Sequence, residues 1–208
     1  TSVMMDGSLM SDGKTPASYA YNVDVTRLVC QMSHPIGVSV EGELGCLGSL
    51  ETGDAGEEDG IGAEGKLSHD QMLTDPVQAK DFVEKTGVDA LAIAIGTSHG
   101  AYKFKGKPEL DFARLEKISN LLPNFPLVLH GGSNNRDDEI REAVNLGINK
   151  INISSDIKAA YFMKMREVLN DLSLREPNVI QPSCIAAMKE VAYQKIDLFL
   201  ATGKASLY

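Results

Sequence analysis

Residues 88–95 read VDALAIAI, an apolar run interrupted by a single charge at Asp89. A strand with one wet face alternates apolar and polar residues, whereas a strand covered on both faces is apolar throughout. The run is therefore typical of a strand in a parallel sheet that is covered on both faces. Gly87 precedes it directly, as expected where a helix ends and the chain enters the next strand. This stretch favours an α/β fold.

Strand and helix patterns alternate along the rest of the chain. We expect strands over 1–5, 37–42, 88–95, 127–130 and 148–153, and helices over 16–33, 76–86, 112–122, 136–146, 156–172 and 183–201. Thr15, Asp75 and Asp111 are the predicted N-caps of three helices, because each has a side-chain oxygen that can accept from a first-turn amide. The repeating βα unit predicts a parallel sheet.

Polar residues at the strand ends distinguish two kinds of parallel sheet. They follow all the predicted strands, at 6–8, 41–43, 97–100, 130–133 and 152–156. A doubly wound sheet concentrates its ligand contacts at one switch point, whereas a TIM barrel draws functional residues from the ends of many strands. The pattern therefore predicts a TIM (β/α)8 barrel, with residues 1–208 in a single domain. Since such a barrel needs eight strands, we expect about three βα units, roughly 80 to 90 residues, to precede this chain.

Composition excludes several classes of partner. The 208 residues carry a net charge of −9, which argues against nucleic acid or an anionic membrane surface as a partner. No apolar run approaches the roughly 18 residues of a membrane span. Cys30, Cys46 and Cys184 are odd in number and have no CxxC spacing, so we expect reduced thiols in a cytoplasmic protein.

Two segments run an apolar stretch into a histidine followed by glycine: IGTSHG at 95–100 and LHGGS at 129–133. A histidine at a strand exit suits a metal ligand, and glycine amides beside it can meet an oxyanion or phosphate. The pair predicts a metal-assisted enzyme that acts on a phosphorylated compound. The alternative is that the two histidines are unrelated polar caps.

Six segments together resemble the class II fructose-bisphosphate aldolases. They are VMMDGS at 3–8, VEGELG at 40–45, EEDG at 57–60, GTSHGAYK at 96–103, HGGS at 130–133 and NISSD at 152–156. The resemblance covers nearly the whole chain, in the order of strands four to eight of that family's barrel. It implies a catalytic zinc, reversible cleavage of fructose 1,6-bisphosphate to dihydroxyacetone phosphate and glyceraldehyde 3-phosphate, and a homodimer or homotetramer.

The resemblance also implies the metal ligands. His99 and His130 match two of the family's three zinc-binding histidines; the third belongs to an Asp-His pair with no counterpart here, so the segment alone is expected to be inactive. Asp6 and Glu43 match residues that hold a second divalent metal in some members. The alternative for these carboxylates is hydrogen bonding to loop amides or to a zinc-binding histidine. Glu41 lies two residues from Glu43 and could join them.

The segment from Gly42 to Gly65 contains eight glycines and neither lysine nor arginine. Such a stretch cannot form a core, so its simplest interpretation is a flexible connector. In the family it is a mobile active-site loop, and Glu58 matches the acid/base that exchanges a proton with dihydroxyacetone phosphate. Glu57 is the alternative, because the loop has extra residues relative to some members.

Phosphate binding is predicted at turns of small residues. Backbone amides after strands seven and eight commonly bind phosphate in TIM barrels, which reconciles an acidic chain with an anionic substrate. The predicted substrate contacts are Gly100, Gly131, Gly132, Ser133, Asn152, Ile153, Ser154 and Ser155. Many family members carry Asp where this chain has Ser154, so tagatose 1,6-bisphosphate is the alternative substrate. A non-catalytic phospho-sugar-binding subunit is the alternative function.

Overall fold

The computed structural model of the chain describes residues 1–45, 72–97 and 110–207. The predictions for Cys46, Glu57, Glu58, His99 and Gly100 lie outside these residues. The strands are β1 (Ser2–Met5), β2 (Ser39–Leu44), β3 (Ala90–Ile93), β4 (Leu127–Leu129) and β5 (Ile148–Ile151). The α-helices are α1 (Tyr19–Ser33), α2 (Pro76–Thr86), α3 (Phe112–Leu121), α4 (Asp137–Asn145), α5 (Ser155–Val168) and α6 (Pro177–Leu198), with 3-10 turns at His34–Ile36 and Lys204–Leu207.

The five described strands form one parallel sheet in the order β1-β2-β3-β4-β5. Each described strand therefore pairs with the next one along the chain. A doubly wound sheet reverses its strand order at a switch point, and this sheet has no reversal within the described strands. The prediction of a TIM-barrel fold is confirmed, and the described strands are one arc of such a barrel.

A continuous apolar layer joins this arc to its helices. Leu91 and Ile93 of β3 are fully buried, as are Phe82 of α2 and Leu115 and Ile118 of α3. Burying one such side chain contributes about 1.5 to 3 kcal/mol, so this layer is the main source of stability of the arc. The apolar run at 88–95 forms the centre of the layer, as its composition predicts.

Two of the three predicted N-caps are confirmed, and one is wrong. Asp75 accepts from the amides of Val77 and Gln78, both at 2.9 Å, and Asp111 caps α3 in the same way through Arg114. The first helix begins at Tyr19 rather than at residue 16, because its N-cap is Ser18 and not Thr15. The Thr15 hydroxyl donates instead to Asp12 within the preceding loop.

Several other predicted boundaries differ from the structure: the strand predicted over 88–95 is Ala90–Ile93, and the helix predicted over 156–172 ends at Val168. Two further differences have clear local reasons. β2 begins at Ser39 rather than at residue 37, because Gly37 adopts a left-handed φ of 71° that ends the preceding 3-10 turn. α6 begins at Pro177 rather than at residue 183. A proline in the first helical turn loses no hydrogen bond, so the helix starts there and continues through Pro182.

In the three described stretches, no helix combines the length and the apolar character that crossing a membrane requires.

Candidate active site

Glu41 and Glu43 leave the same face of β2, because residues two apart in a strand share a face. Gly42 lies between them and faces the helices: a Cβ there would lie 2.9 Å from an aromatic carbon of α2. The two carboxylates therefore point to the barrel interior. Their partners on β3 are Ala90 and Ala92, whose small side chains leave room for the glutamates to reach past that strand.

His130 lies directly after β4 and meets both glutamates. Its Nε2 is 2.8 Å from Oε1 of Glu41, and its Nδ1 is 3.1 Å from Oε2 of Glu43. The second oxygen of Glu41 accepts from Lys150 of β5, with Nζ at 2.9 Å. Lys150, Glu41, His130 and Glu43 thus form a line of alternating charge across the interior, called here the interior charge line.

Burial and pairing set the charges of this line. Burial disfavours a charged His130, but the hydrogen bonds and charges of the two glutamates outweigh it and raise the pKa of His130 to about 9. Burial on its own would raise the pKa of Glu41. Hydrogen bonds from His130 and Lys150 outweigh it and hold the pKa of this carboxyl below its ordinary value. Burial dominates at Glu43, and together with the nearby charge of Asp6 it raises the pKa of that carboxyl. Glu41 is therefore the firmly ionised carboxylate of the pair.

The turns that follow β4 and β5 are in direct contact. The amide of Gly132 donates to the carbonyl of Asn152 at 3.1 Å. The Ser133 hydroxyl accepts from the amides of Ser154 and Asp156, at 3.3 and 3.4 Å, at the start of α5. The predicted phosphate contacts at 131–133 and 152–155 therefore meet at one helix N-terminus, where positive dipole charge favours an anion.

We expect Gly132→Ala to force these two turns apart. An added Cβ would lie 2.5 Å from Cγ2 of Ile151 and 3.0 Å from the carbonyl oxygen of Asn152. The second contact is with backbone, so no change of rotamer relieves it. Overpacking of this kind lowers the free energy of unfolding by about 1 to 3 kcal/mol, which urea denaturation measures. An unchanged midpoint would contradict the close packing of the two turns.

The other predicted site residues are placed as follows. Asp6 follows β1, is exposed, and accepts from the Ser8 amide at 2.8 Å. Its charge contributes to raising the pKa of Glu43, and the second metal that was predicted for these two carboxylates stays a prediction. His99, Gly100 and Glu58 lie outside the described residues.

Two members of the interior charge line were not among the predicted site residues. Glu41 was predicted only as a residue that could join Glu43, and the signal was their two-residue spacing. Lys150 was missed. A lysine in the short strand INKI, which begins and ends with isoleucine, is unusual enough to have been a signal. Asn135 was also missed: its buried amide donates to the Gly131 carbonyl at 2.8 Å and fixes the turn after His130.

The donors in the described part of the site fit part of a zinc centre. Within residues 1–45, 72–97 and 110–207, no group of three or more His, Cys, Asp or Glu side chains is arranged to hold a metal ion. His130 and Glu43 do supply an imidazole and a carboxylate, both of which zinc takes as ligands. Asp6 is exposed, and its charge acts on the Glu43 carboxyl. The chemistry of this set suits a divalent metal that receives its remaining ligands from other residues.

Comparison with known proteins shows which family the sequence resembles over nearly its whole length. The family profile for class-II fructose-bisphosphate aldolase matches residues 1–204. A fructose-bisphosphate aldolase of Cupriavidus necator is 49% identical over 99% of this chain and 67% of its own length. A class 2 fructose-bisphosphate aldolase of Synechocystis is 47% identical over 99% of this chain and 64% of its own length.

Solved structures show the same fold. The YdjI aldolase of Escherichia coli superposes with a TM-score of 0.75 at 32% identity, covering 98% of this chain and 62% of that one. A candidate fructose-1,6-bisphosphate aldolase of Coccidioides immitis gives a TM-score of 0.82 at 27% identity, covering 100% of this chain and 65% of that one. The chain thus spans about two thirds of the length of these relatives. It belongs to the class II fructose-bisphosphate aldolase family.

Proposed function

We propose that this chain contributes to a zinc-dependent aldolase that reversibly cleaves fructose 1,6-bisphosphate to dihydroxyacetone phosphate and glyceraldehyde 3-phosphate. The observation that carries the proposal is His130, held between two glutamates beside paired turns at the N-terminus of α5. An imidazole ligand and an anion-binding turn at adjacent strand exits are what metal-assisted chemistry on a phosphorylated sugar requires. The related sequences named as fructose-bisphosphate aldolases support the same substrate.

Each of the predicted site residues has a role in this proposal. His99 and His130 hold the zinc, and Asp6 and Glu43, which match residues that hold a second divalent metal in some family members, form the site for such a metal. Zinc supplies a Lewis acid that polarises the substrate ketone and stabilises the negative charge formed on carbon–carbon cleavage. Glu58 moves the proton on the dihydroxyacetone phosphate side. The amides of the turns at 131–133 and 152–155, together with Gly100, bind substrate.

Tagatose 1,6-bisphosphate is the second candidate substrate, and Ser154 is the observation that favours it. Ser154 precedes the first turn of α5, and its hydroxyl makes no capping bond there. A serine is shorter than the Asp of many family members and carries no charge, so it suits a different arrangement of substrate hydroxyls. A pocket discriminates between such epimers only through a few hydrogen bonds.

The test is a cleavage assay of the full-length protein on both bisphosphates, with zinc and with a chelator. We expect turnover of fructose 1,6-bisphosphate that the chelator removes and zinc restores. Faster cleavage of the tagatose compound would favour the second candidate. If the zinc-loaded protein cleaved neither compound yet bound them, the non-catalytic subunit would be the correct function.

The remaining proposals concern the whole protein. We propose a homodimer or homotetramer with a single barrel domain per chain, on the basis of the family resemblance. We also propose a cytoplasmic location. Cys30 and Cys184 support it, because both are buried free thiols, as expected in a reducing compartment.

A further inference from the structure

Lys150 and Glu41 have no role in the proposed reaction, yet they are in direct contact with one of its residues. Lys150 donates to Oε2 of Glu41 at 2.9 Å and to Oδ1 of Asn152 at 2.7 Å. Oε1 of Glu41 lies 2.8 Å from Nε2 of His130. The carboxylate of Glu41 therefore uses both oxygens and bridges a lysine to a histidine.

The two sides of the His130 ring differ in charge. Nδ1 faces Glu43, at 3.1 Å from Oε2 of that carboxyl. Nε2 faces Glu41, which Lys150 neutralises from the other side. Glu41 already has Lys150 as a cationic partner, so a divalent cation gains more attraction beside Glu43, on the Nδ1 side.

The chemistry of imidazole then decides what Glu41 does. A neutral imidazole has one N–H donor and one lone pair, and a metal requires the lone pair. If Nδ1 coordinates the metal through its lone pair, Nε2 carries the hydrogen and needs a hydrogen-bond acceptor. Oε1 of Glu41 is 2.8 Å from Nε2, and the other oxygen of this carboxyl is anchored by Lys150, so Oε1 can accept that hydrogen bond. Such carboxylate partners fix the tautomer and ring orientation of metal-binding histidines.

We propose that Glu41 and Lys150 are positioning residues that orient His130 for zinc: Glu41 accepts from Nε2–H, and Lys150 holds Glu41 in place. This rests on the proposed function, because it takes His130 as a zinc ligand. Lys150 acts only through Glu41 and touches neither the metal nor the substrate. The methyl side chains of Ala90 and Ala92 leave the interior open for this contact across β3.

The test measures zinc affinity of the full-length protein by competition between Zn²⁺ and a chromophoric chelator. Loss of a carboxylate partner of this kind weakens metal binding by about 10- to 100-fold, so we expect that range for Lys150→Met and for Glu41→Gln. Lys150→Arg keeps a positively charged donor beside Glu41, so it should weaken zinc binding less than Lys150→Met does. Lys117→Met, an exposed lysine on α3, is the matched control and should leave zinc affinity unchanged.

Two further readouts separate positioning from a merely structural role. At saturating zinc, Lys150→Met should regain its kcat with an unchanged KM, because its defect is in the metal occupancy. In a Glu41→Gln background the lysine substitution should have little further effect, since Lys150 acts through Glu41. Wild-type zinc affinity in Lys150→Met would overturn the proposal, as would a raised KM at saturating zinc. Absence of zinc binding in the unsubstituted protein would instead contradict the proposed function itself.

Discussion

Replacing His130 with alanine is expected to remove zinc and aldol cleavage together. A catalytic zinc takes three protein ligands and leaves one position open, so the loss of one imidazole leaves too few donors. The Lewis-acid contribution is several kcal/mol, which corresponds to a fall in kcat of at least about 10³-fold. His99→Ala should have the same effect if His99 is the second ligand. Elemental analysis of zinc per chain and the cleavage assay measure the two losses.

The free energy of unfolding of metal-free His130→Ala shows how much stability the loss of the buried ion pair costs, separately from the loss of zinc. Removing one partner of a buried ion pair costs about 3 to 5 kcal/mol when the other charge stays unpaired. Glu43 has a raised pKa and can take up a proton, and Glu41 keeps Lys150, so we expect a smaller loss than that range. His34→Ala is the control, because His34 is exposed and its Nε2 pairs with Asp89 at 3.0 Å. Stoichiometric zinc in both His99→Ala and His130→Ala would contradict the ligand assignment.

The order of strands and helices could be predicted because it is encoded locally. Asp75 before Pro76 and Asp111 before Phe112 mark helix starts through bonds that each aspartate makes within its own turn. Gly87 ends α2 with a φ of 75°, a conformation that few residues other than glycine adopt. The apolar run after Gly87 favours a buried strand, and β3 forms within it at Ala90–Ile93. Local chemistry of this kind needs no knowledge of the rest of the fold.

The errors occurred where two local signals competed. Thr15 and Ser18 are both able to cap α1, and the bond of Thr15 to Asp12 decides in favour of Ser18. At the last helix, Pro182 suggests a break, but Pro177 already satisfies the first turn and the helix continues past the second proline. The start of each of these two helices therefore depends on hydrogen bonds between neighbouring residues in the folded chain.

The interior charge line could be predicted only in part. The reason differs from that for the helix starts. Its members come from β2, from β5 and from the residue after β4, so their contact depends on the register of all the strands between them. The spacing of Glu41 and Glu43 shows that they share a face, but not that they meet His130. Lys150 pairs with Glu41 across two intervening strands, and no short-range pattern in the sequence records that distance.

Glu58→Gln is expected to slow exchange of the substrate-side proton of dihydroxyacetone phosphate with solvent. A positioned general acid or base contributes about 10²- to 10⁴-fold, and glutamine matches glutamate in shape but cannot accept the proton. Zinc content should be unchanged, because the glutamate is not among the predicted metal ligands. Exchange of deuterium from D₂O into the ketone phosphate, followed by NMR, measures this step without the second substrate.

Glu57→Gln is the matched control, since it removes the same charge from the adjacent position of the same segment. If Glu58 is the acid/base, Glu57→Gln should retain exchange within about threefold of the unsubstituted protein, far inside the 10²-fold minimum expected for loss of a general base. The opposite pattern, with slow exchange only in Glu57→Gln, would assign the reaction to the neighbouring acid. Equal small effects in both would show that the proton moves through another group, and zinc-dependent cleavage would then need a base from outside residues 57–58.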